Sequence, residues 1–225
     1  MFVGHYSAAL AAKAAEPRAP LWTYVAAAQL LDIGWSVLII AGVERVSFDQ
    51  HLPGSALVLE YMPWTHSLPA AVVWSVAAAF VAGRILKLPR RAAVVVGLVV
   101  FSHWVLDLLV HRPDLALWFG GPRLGLGLWN EPVAEEAIEI GLLAVAGAAW
   151  TAQRVRAGES TWPAAAFLAF LVVLQIMGLV LPPPGGPVPM GLNALAAYLV
   201  TAAVASLVER KPRTAVEAQH QRAGA

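Results

Sequence analysis

The chain has 225 residues, of which 59% are hydrophobic and 13% charged, and its mean hydropathy is +0.68. A soluble domain is roughly half apolar and a quarter charged, so this composition excludes an ordinary soluble domain and predicts an integral membrane protein. The net charge of +1 excludes a strongly basic nucleic-acid-binding surface. The absence of cysteine excludes disulfides, thiolate metal ligands and a thiol nucleophile.

The hydrophobic segments predict an all-α, polytopic transmembrane bundle. A helix needs about 20 mainly apolar residues to cross the hydrocarbon core, and six segments meet that length. A shorter Ala-rich segment at 2–15 precedes them and is expected to form a half-inserted or interfacial helix. Residues 1–209 are expected to form one membrane domain and 210–225 a polar, disordered cytoplasmic tail. The six predicted spans are roughly 21–42, 67–86, 92–111, 132–152, 162–182 and 189–208.

Lys and Arg residues predict the orientation, because cytoplasmic loops carry an excess of them. If the segment before the first span is cytoplasmic, only three of the 15 Lys and Arg residues lie on the outer side: Arg45, Arg112 and Arg123. The other twelve lie on the inner side. Both termini are therefore expected in the cytoplasm.

Ionisable residues occur within the predicted spans, where they are costly and usually functional. In the third span, His103, Asp107 and His111 follow one another at intervals of four, which places them on one helix face. Imidazole and carboxylate together suit a divalent ion such as zinc. For His103 and Asp107 the alternative is a structural interhelical hydrogen bond, and for His111 it is a snorkelling end residue.

With a rise of about 1.5 Å per residue counted from the inner membrane boundary, polar groups of separate segments lie at similar depths.

Three acids follow Pro132 at the start of the fourth span. The favourable interaction of acids with the helix dipole at a helix start explains Glu135 and Glu136. Glu139 lies deeper and is retained as a candidate catalytic residue. The candidates in the outer half of the bilayer are His5, Asp32, His66, His103, Asp107 and Glu139.

Four short motifs occur in order on successive segments of residues 1–112. They are Gly4-His5, Leu31-Asp32, Trp64-Thr65-His66-Ser67 and Ser102-His103-Trp104-Val105-Leu106-Asp107. In these motifs the chain resembles the YdjM-like inner-membrane proteins, a family of metal-dependent hydrolases. The resemblance implies a bacterial-type inner (plasma) membrane protein.

The resemblance further implies a metal site built from five residues. His66, His103 and Asp107 are the expected ligands of a divalent ion, most simply zinc. His5 and Asp32 are expected as further ligands or as partners of the ligands, and Asp32 or Glu139 as general base. The depth of the site predicts a lipid or another membrane-borne ester, amide or phosphoester as substrate.

Two other functions remain open on the sequence. Intramembrane acids and imidazoles are also the parts of an ion path, so a proton- or ion-coupled transporter is the main alternative. A membrane scaffold without catalysis is the third hypothesis. The sequence does not determine the oligomeric state.

Overall fold

The computed structural model describes residues 1–182 and 184–209, so the predicted tail at 210–225 lies outside the described residues. The described part is mostly helical, as predicted, with a few short strands. Its helices are α1 (His5–Ala15), α2 (Leu21–Ala28), α3 (Leu30–Ile40), α4 (Leu68–Arg84), α5 (Arg90–Val110), α6 (Pro132–Arg156), α7 (Trp162–Val180) and α8 (Pro187–Val208).

Helix α1 lies inside the bundle, packed against α2, α5 and α6. Its small Ala side chains allow this close packing, and Val3, Tyr6 and Leu10 are completely buried. An interfacial helix would expose one of its faces, so the burial of α1 differs from that part of the sequence-based expectation.

Polar contacts hold the N-terminal segment at both ends. Before α1, the Glu139 carboxylate accepts the backbone N–H groups of Phe2 (2.7 Å) and Gly4 (3.0 Å). At the other end, Lys13 Nζ lies 2.6 Å from Glu209 Oε1 and donates to the Ala19 carbonyl. These contacts fix the position of α1 along its axis, and therefore the position of His5.

Helices α2 and α3 form a single apolar segment that bends by 51° at Gln29. The predicted span at 21–42 is therefore broken near its middle. The Gln29 side-chain amide donates to the Phe2 carbonyl (3.2 Å), which links the bend to the N-terminal segment. In a continuous helix the Ala28 carbonyl would accept the N–H of Asp32, whereas here it accepts a side chain of α5.

Helices α4 and α5 pack closely along their length. Gly97 of α5 makes this possible, because a Cβ atom there would lie 2.8 Å from the Ser75 carbonyl oxygen of α4. The backbone of α5, which carries His103 and Asp107, is therefore held directly against α4.

Two small antiparallel hairpins connect the helices, and the all-α prediction did not include them. Strands β1 (Arg45–Phe48) and β2 (Leu57–Tyr61) pair between α3 and α4. Strands β3 (Leu115–Ala116) and β4 (Arg123–Leu124) pair between α5 and α6, followed by a 3-10 turn at Leu128–Asn130. These strands are too short to be recognised by a search for spans of about 20 residues.

Within the described residues, three helices are long and apolar enough to cross a membrane: α5, α7 and α8. The bent pair α2–α3 would make a fourth span. Helix α4 has 17 residues, and α6 carries several acids and arginines along its 25 residues. The structure therefore supports three or four spans, and the predicted number of six is not confirmed.

Candidate metal centre

His103 and Asp107 point to the same side of α5, as their spacing predicts. Both are almost completely buried, and His103 Nε2 lies 3.1 Å from Asp107 Oδ2. The other nitrogen of His103, Nδ1, lies 2.7 Å from the Ala28 carbonyl oxygen at the bend between α2 and α3. Because a carbonyl oxygen only accepts, His103 Nδ1 must carry a proton, and in the neutral imidazole Nε2 keeps a free lone pair.

His66 reaches the same point from the turn before α4. Ser67 caps α4 by accepting the N–H of Ala70, and Trp104 Nε1 of α5 donates to the His66 carbonyl. With its backbone held in this way, His66 Nε2 lies 3.5 Å from Asp107 Oδ2 and 3.2 Å from Asp32 Oδ1. The turn and the two helices therefore converge on one buried point.

The orientation of His66 is set by a chain of hydrogen bonds that begins at Glu44. Thr65 Oγ1 donates to Glu44 Oε2 (2.7 Å) and also lies 2.7 Å from His66 Nδ1. The single hydroxyl proton goes to the carboxylate, so the Thr65 oxygen accepts from His66 Nδ1. His66 Nε2, like His103 Nε2, is then a free acceptor that faces carboxylate oxygens.

Glu44 is 1% exposed, and it also accepts the backbone N–H groups of Trp64 and Thr65. Burial raises the pKa of Glu44, and the hydrogen bond from Thr65 opposes that shift. Glu44 was not predicted from the sequence as a site residue, because it lies in a connection outside the predicted spans. Its one signal in the sequence is an acidic residue directly after an apolar segment.

Asp32 and His5 complete the set that the sequence predicted. Asp32 lies in the first turn of α3. Its Oδ1 is 3.5 Å from His103 Nε2, and its Oδ2 accepts a hydrogen bond of 2.9 Å from the Tyr198 hydroxyl of α8. His5 of α1 lies with Nε2 3.1 Å from Asp107 Oδ1, and its ring stacks on that of His103. The structure thus brings all five predicted ligand residues together.

His111, which the sequence left open between ligand and end residue, also lies in this cluster. It is 4% exposed, and its Nε2 is 3.4 Å from Asp107 Oδ1. Its Nδ1 lies 2.9 Å from Asp114 Oδ1, a short contact within the loop after α5. The interval of four residues from Asp107 was the signal for this placement.

Glu139 is buried nearby, but its two carboxylate oxygens each accept a backbone N–H, from Phe2 and from Gly4. Its carboxylate is therefore engaged with the N-terminal segment. Glu139 also lines a cavity of about 420 Å³ next to the cluster. Its catalytic role stays a prediction.

The cavity joins the cluster to an apolar compartment. Asp32, His66, Asp107 and His111 form part of its wall. The apolar part of the remaining wall comes from α3, the first hairpin and the turn after it, the 3-10 turn and the ends of α7 and α8, while α6 contributes the acids Glu135, Glu136 and Glu139. The apolar residues there include Trp35, Leu57, Leu59, Met62, Trp129, Leu179 and Met190.

The cluster has the chemistry of a metal site. His5 Nε2, His103 Nε2 and Asp107 Oδ2 are buried and make no hydrogen bond, although nitrogen and oxygen lie about 3 Å apart. Buried polar atoms are normally satisfied, and a metal ion between these atoms could satisfy them. Two triads within the described residues are spaced to hold a metal ion: His5–His103–Asp107 and Asp32–His66–His103.

Comparisons of the chain with protein-family models, with curated proteins and with solved structures gave no match. The fold and the cluster therefore define the class on their own. This is a mostly helical chain with helices able to cross a membrane, and it has a buried His–Asp group that could hold a metal ion.

Proposed function

We propose that the chain is a membrane-embedded, metal-dependent hydrolase of the YdjM-like kind, acting on a lipid or another membrane-borne ester, amide or phosphoester. The observation that carries the proposal is the set of buried Nε2 atoms on His66 and His103. Both face carboxylate oxygens, while their Nδ1 protons are bound elsewhere. Imidazoles held in this way by a second hydrogen bond are typical of metal ligands.

Distances support a zinc ion held by His66, His103 and Asp107. Ligand atoms of a tetrahedral zinc ion with bonds of about 2.1 Å lie about 3.4 Å apart. The two imidazole-to-Asp107 distances are 3.5 and 3.1 Å. Three protein ligands would leave one coordination position of a bound zinc ion for water, as in catalytic zinc sites.

In this proposal Asp32 is the general base. A zinc ion held by His66, His103 and Asp107 would supply Lewis-acid chemistry: it would lower the pKa of a water molecule and polarise the carbonyl or phosphoryl oxygen of the substrate. Asp32 Oδ1 lies 3.2 Å from His66 Nε2 and 3.5 Å from His103 Nε2, which is also the spacing of a ligand, and as base it would accept a proton from the water instead of binding the ion. The Tyr198 hydroxyl holds the other oxygen of Asp32 and so orients the carboxylate. Glu139, with both oxygens engaged, supports the N-terminal segment.

The cavity supports a substrate with an apolar part. Its polar lining includes Asp32, Asp107 and three acids of α6, and its apolar lining includes Trp35, Leu59 and Met190. An acyl chain placed against this apolar lining would bring a head-group bond to the polar lining and exclude bulk water from it.

The test uses purified full-length protein in detergent, with zinc measured by mass spectrometry and hydrolysis measured on ester and phosphoester lipids. We expect bound zinc and lipid hydrolysis in the native protein, and the loss of both in His103→Ala. His51→Ala changes an exposed histidine outside the cluster and is the matched control. Full metal content in both His103→Ala and Asp107→Ala would end the proposal.

A proton- or ion-coupled transporter is the second candidate, and the bend between α2 and α3 beside Asp32 favours it. Discontinuous helices that meet intramembrane acids are typical of transporter binding sites. Reconstitution into liposomes separates the two functions. Ion flux that persists after removal of metal with a chelator, without lipid hydrolysis, would favour the transporter.

A further inference from the structure

The two oxygens of Asp107 serve different pairs of imidazoles. Oδ2 lies 3.1 Å from His103 Nε2 and 3.5 Å from His66 Nε2. Oδ1 lies 3.1 Å from His5 Nε2 and 3.4 Å from His111 Nε2. A carboxylate whose two oxygens face separate groups of ligands is arranged as a bridge between two ions.

The stacking of His5 on His103 favours separate ions for the two imidazoles. Their ring centroids are 3.7 Å apart and the ring planes are parallel to within 2°. The lone pair of an imidazole nitrogen lies in the plane of its ring, so two stacked parallel rings cannot direct their lone pairs at one point. His66 and His103, by contrast, are inclined at 67°, which allows both to reach one ion.

We propose that the cluster is a two-ion centre bridged by Asp107, in which His5 and His111 bind a second divalent cation through Asp107 Oδ1. The inference rests on the proposed function, because the first ion is the zinc of that site. Ions in two-metal hydrolytic sites are about 3.5–4 Å apart, a separation that a single bridging carboxylate can span.

The nitrogens of the second site are available to an ion. His111 Nδ1 faces Asp114 Oδ1 at 2.9 Å, and a carboxylate only accepts, so Nε2 of neutral His111 is free. In metal sites, the nitrogen of a histidine ligand that does not bind the metal usually donates a hydrogen bond to a carboxylate or a similar acceptor. His5 is 1% exposed and neither of its ring nitrogens makes a hydrogen bond. A buried imidazole without a hydrogen-bond partner is costly unless a cation occupies its lone pair.

The experiment loads metal-depleted, full-length protein in detergent with Mn²⁺ and removes the unbound ion. Mass spectrometry then counts bound manganese, and electron paramagnetic resonance reports whether two ions are magnetically coupled. For the native protein we expect two ions per chain and a coupled spectrum. His111→Ala is expected to bind one ion and to give the spectrum of isolated Mn²⁺, whereas His51→Ala keeps two coupled ions.

The possible results separate this inference from the proposed function. One ion per chain with an uncoupled spectrum, unchanged in His111→Ala, would overturn the second site and leave the hydrolase proposal standing. No bound ion in the native protein, after loading with Zn²⁺ as well as with Mn²⁺, would overturn both. The coupled spectrum of the native protein is decisive without a variant, so a failure of His111→Ala to fold does not weaken the test.

Discussion

Thr65 has a larger influence on the cluster than its size suggests, because its one proton determines which nitrogen of His66 is free. It donates to Glu44 and accepts from His66 Nδ1, which leaves His66 Nε2 for a metal ion. Neither Thr65 nor Glu44 contacts the proposed ion. Both are positioning residues that act through the tautomer of His66.

Replacing Thr65 with Val should weaken metal binding by about 10- to 100-fold, which is the usual effect of removing a residue that hydrogen-bonds to a metal ligand. Thr65→Ser keeps the hydroxyl and should restore most of the affinity. The measurement is a zinc titration against a competing chelator. Equal affinities for Thr65→Val and the native protein would show that the hydroxyl does not orient His66.

Glu44→Gln tests the same chain of hydrogen bonds with a change of similar size. The amide oxygen is expected to replace the carboxylate oxygen that accepts Trp64 and Thr65 N–H groups, so the amide NH₂ faces Thr65 Oγ1. Thr65 would then donate to His66 Nδ1 and place the imidazole proton on Nε2. We expect a loss of zinc affinity of about 10- to 100-fold in the same titration, and an unchanged affinity would contradict the assigned tautomer.

Among single residues, the polar groups of the spans could be predicted from the sequence, but the residues that hydrogen-bond to them could not. His5, Asp32, His66, His103 and Asp107 could be found because ionisable residues are rare in apolar segments. Tyr198 could not, because it reaches Asp32 from a helix 166 positions away. Pairings of this kind depend on the packing of α3 against α8, which no local pattern encodes.

Among the elements, the α4–α5 pair holds the residues of α5 in place, and Gly97 is its closest point of contact. An added Cβ would lie 2.8 Å from the Ser75 carbonyl oxygen and 3.1 Å from Ala79 Cβ. Backbone atoms of a packed helix cannot move away as easily as the end of a flexible side chain.

Gly97→Ala should therefore destabilise the protein by about 1–3 kcal/mol, the usual cost of overpacking. Gly141→Ala is the matched control, because Gly141 is also helical and a Cβ there meets nothing within 4 Å. Denaturation of both variants in the same detergent measures the difference. A Gly97→Ala variant as stable as Gly141→Ala would show that the two helices are not in such close contact.

Most helices could be predicted from the sequence, whereas the bend in the α2–α3 segment and the two hairpins could not. Long apolar segments determined most of the helices, since their length and hydropathy persist over many residues. No Pro or Gly at Gln29 predicts the bend from the sequence. The bend depends on the contacts of Gln29 with Phe2 and of Ala28 with His103. Tertiary contacts of this kind override local propensity.

For the whole molecule, the outer surface of the bundle is as informative as its interior. Large apolar side chains are exposed on several helices, for example Val73 (67%) on α4, Leu98 (61%) on α5 and Leu199 (60%) on α8. Exposed apolar surface on this scale is unfavourable in water and suits contact with lipid. The ionisable cluster lies inside the bundle, while apolar side chains cover much of its outer surface. A soluble protein has mainly polar side chains on its surface and apolar side chains inside.

Orientation can be tested directly, because the chain contains no cysteine. We introduce single cysteines at two exposed positions, Ala157 after α6 and His51 in the first hairpin. A membrane-impermeant thiol reagent applied to intact cells should label His51→Cys, on the predicted outer side. Ala157→Cys should be labelled only after the membrane is opened. Labelling of both cysteines in intact cells would contradict the orientation predicted from Lys and Arg.

The most direct test of the central claim is the position of a metal ion by anomalous X-ray scattering from crystals of the zinc-loaded protein. The proposal predicts an anomalous peak about 2.1 Å from His66 Nε2 and from His103 Nε2, with Asp107 completing the ligand set. The absence of a peak between these residues, with their imidazoles hydrogen-bonded to one another or to the carboxylates instead, would contradict it.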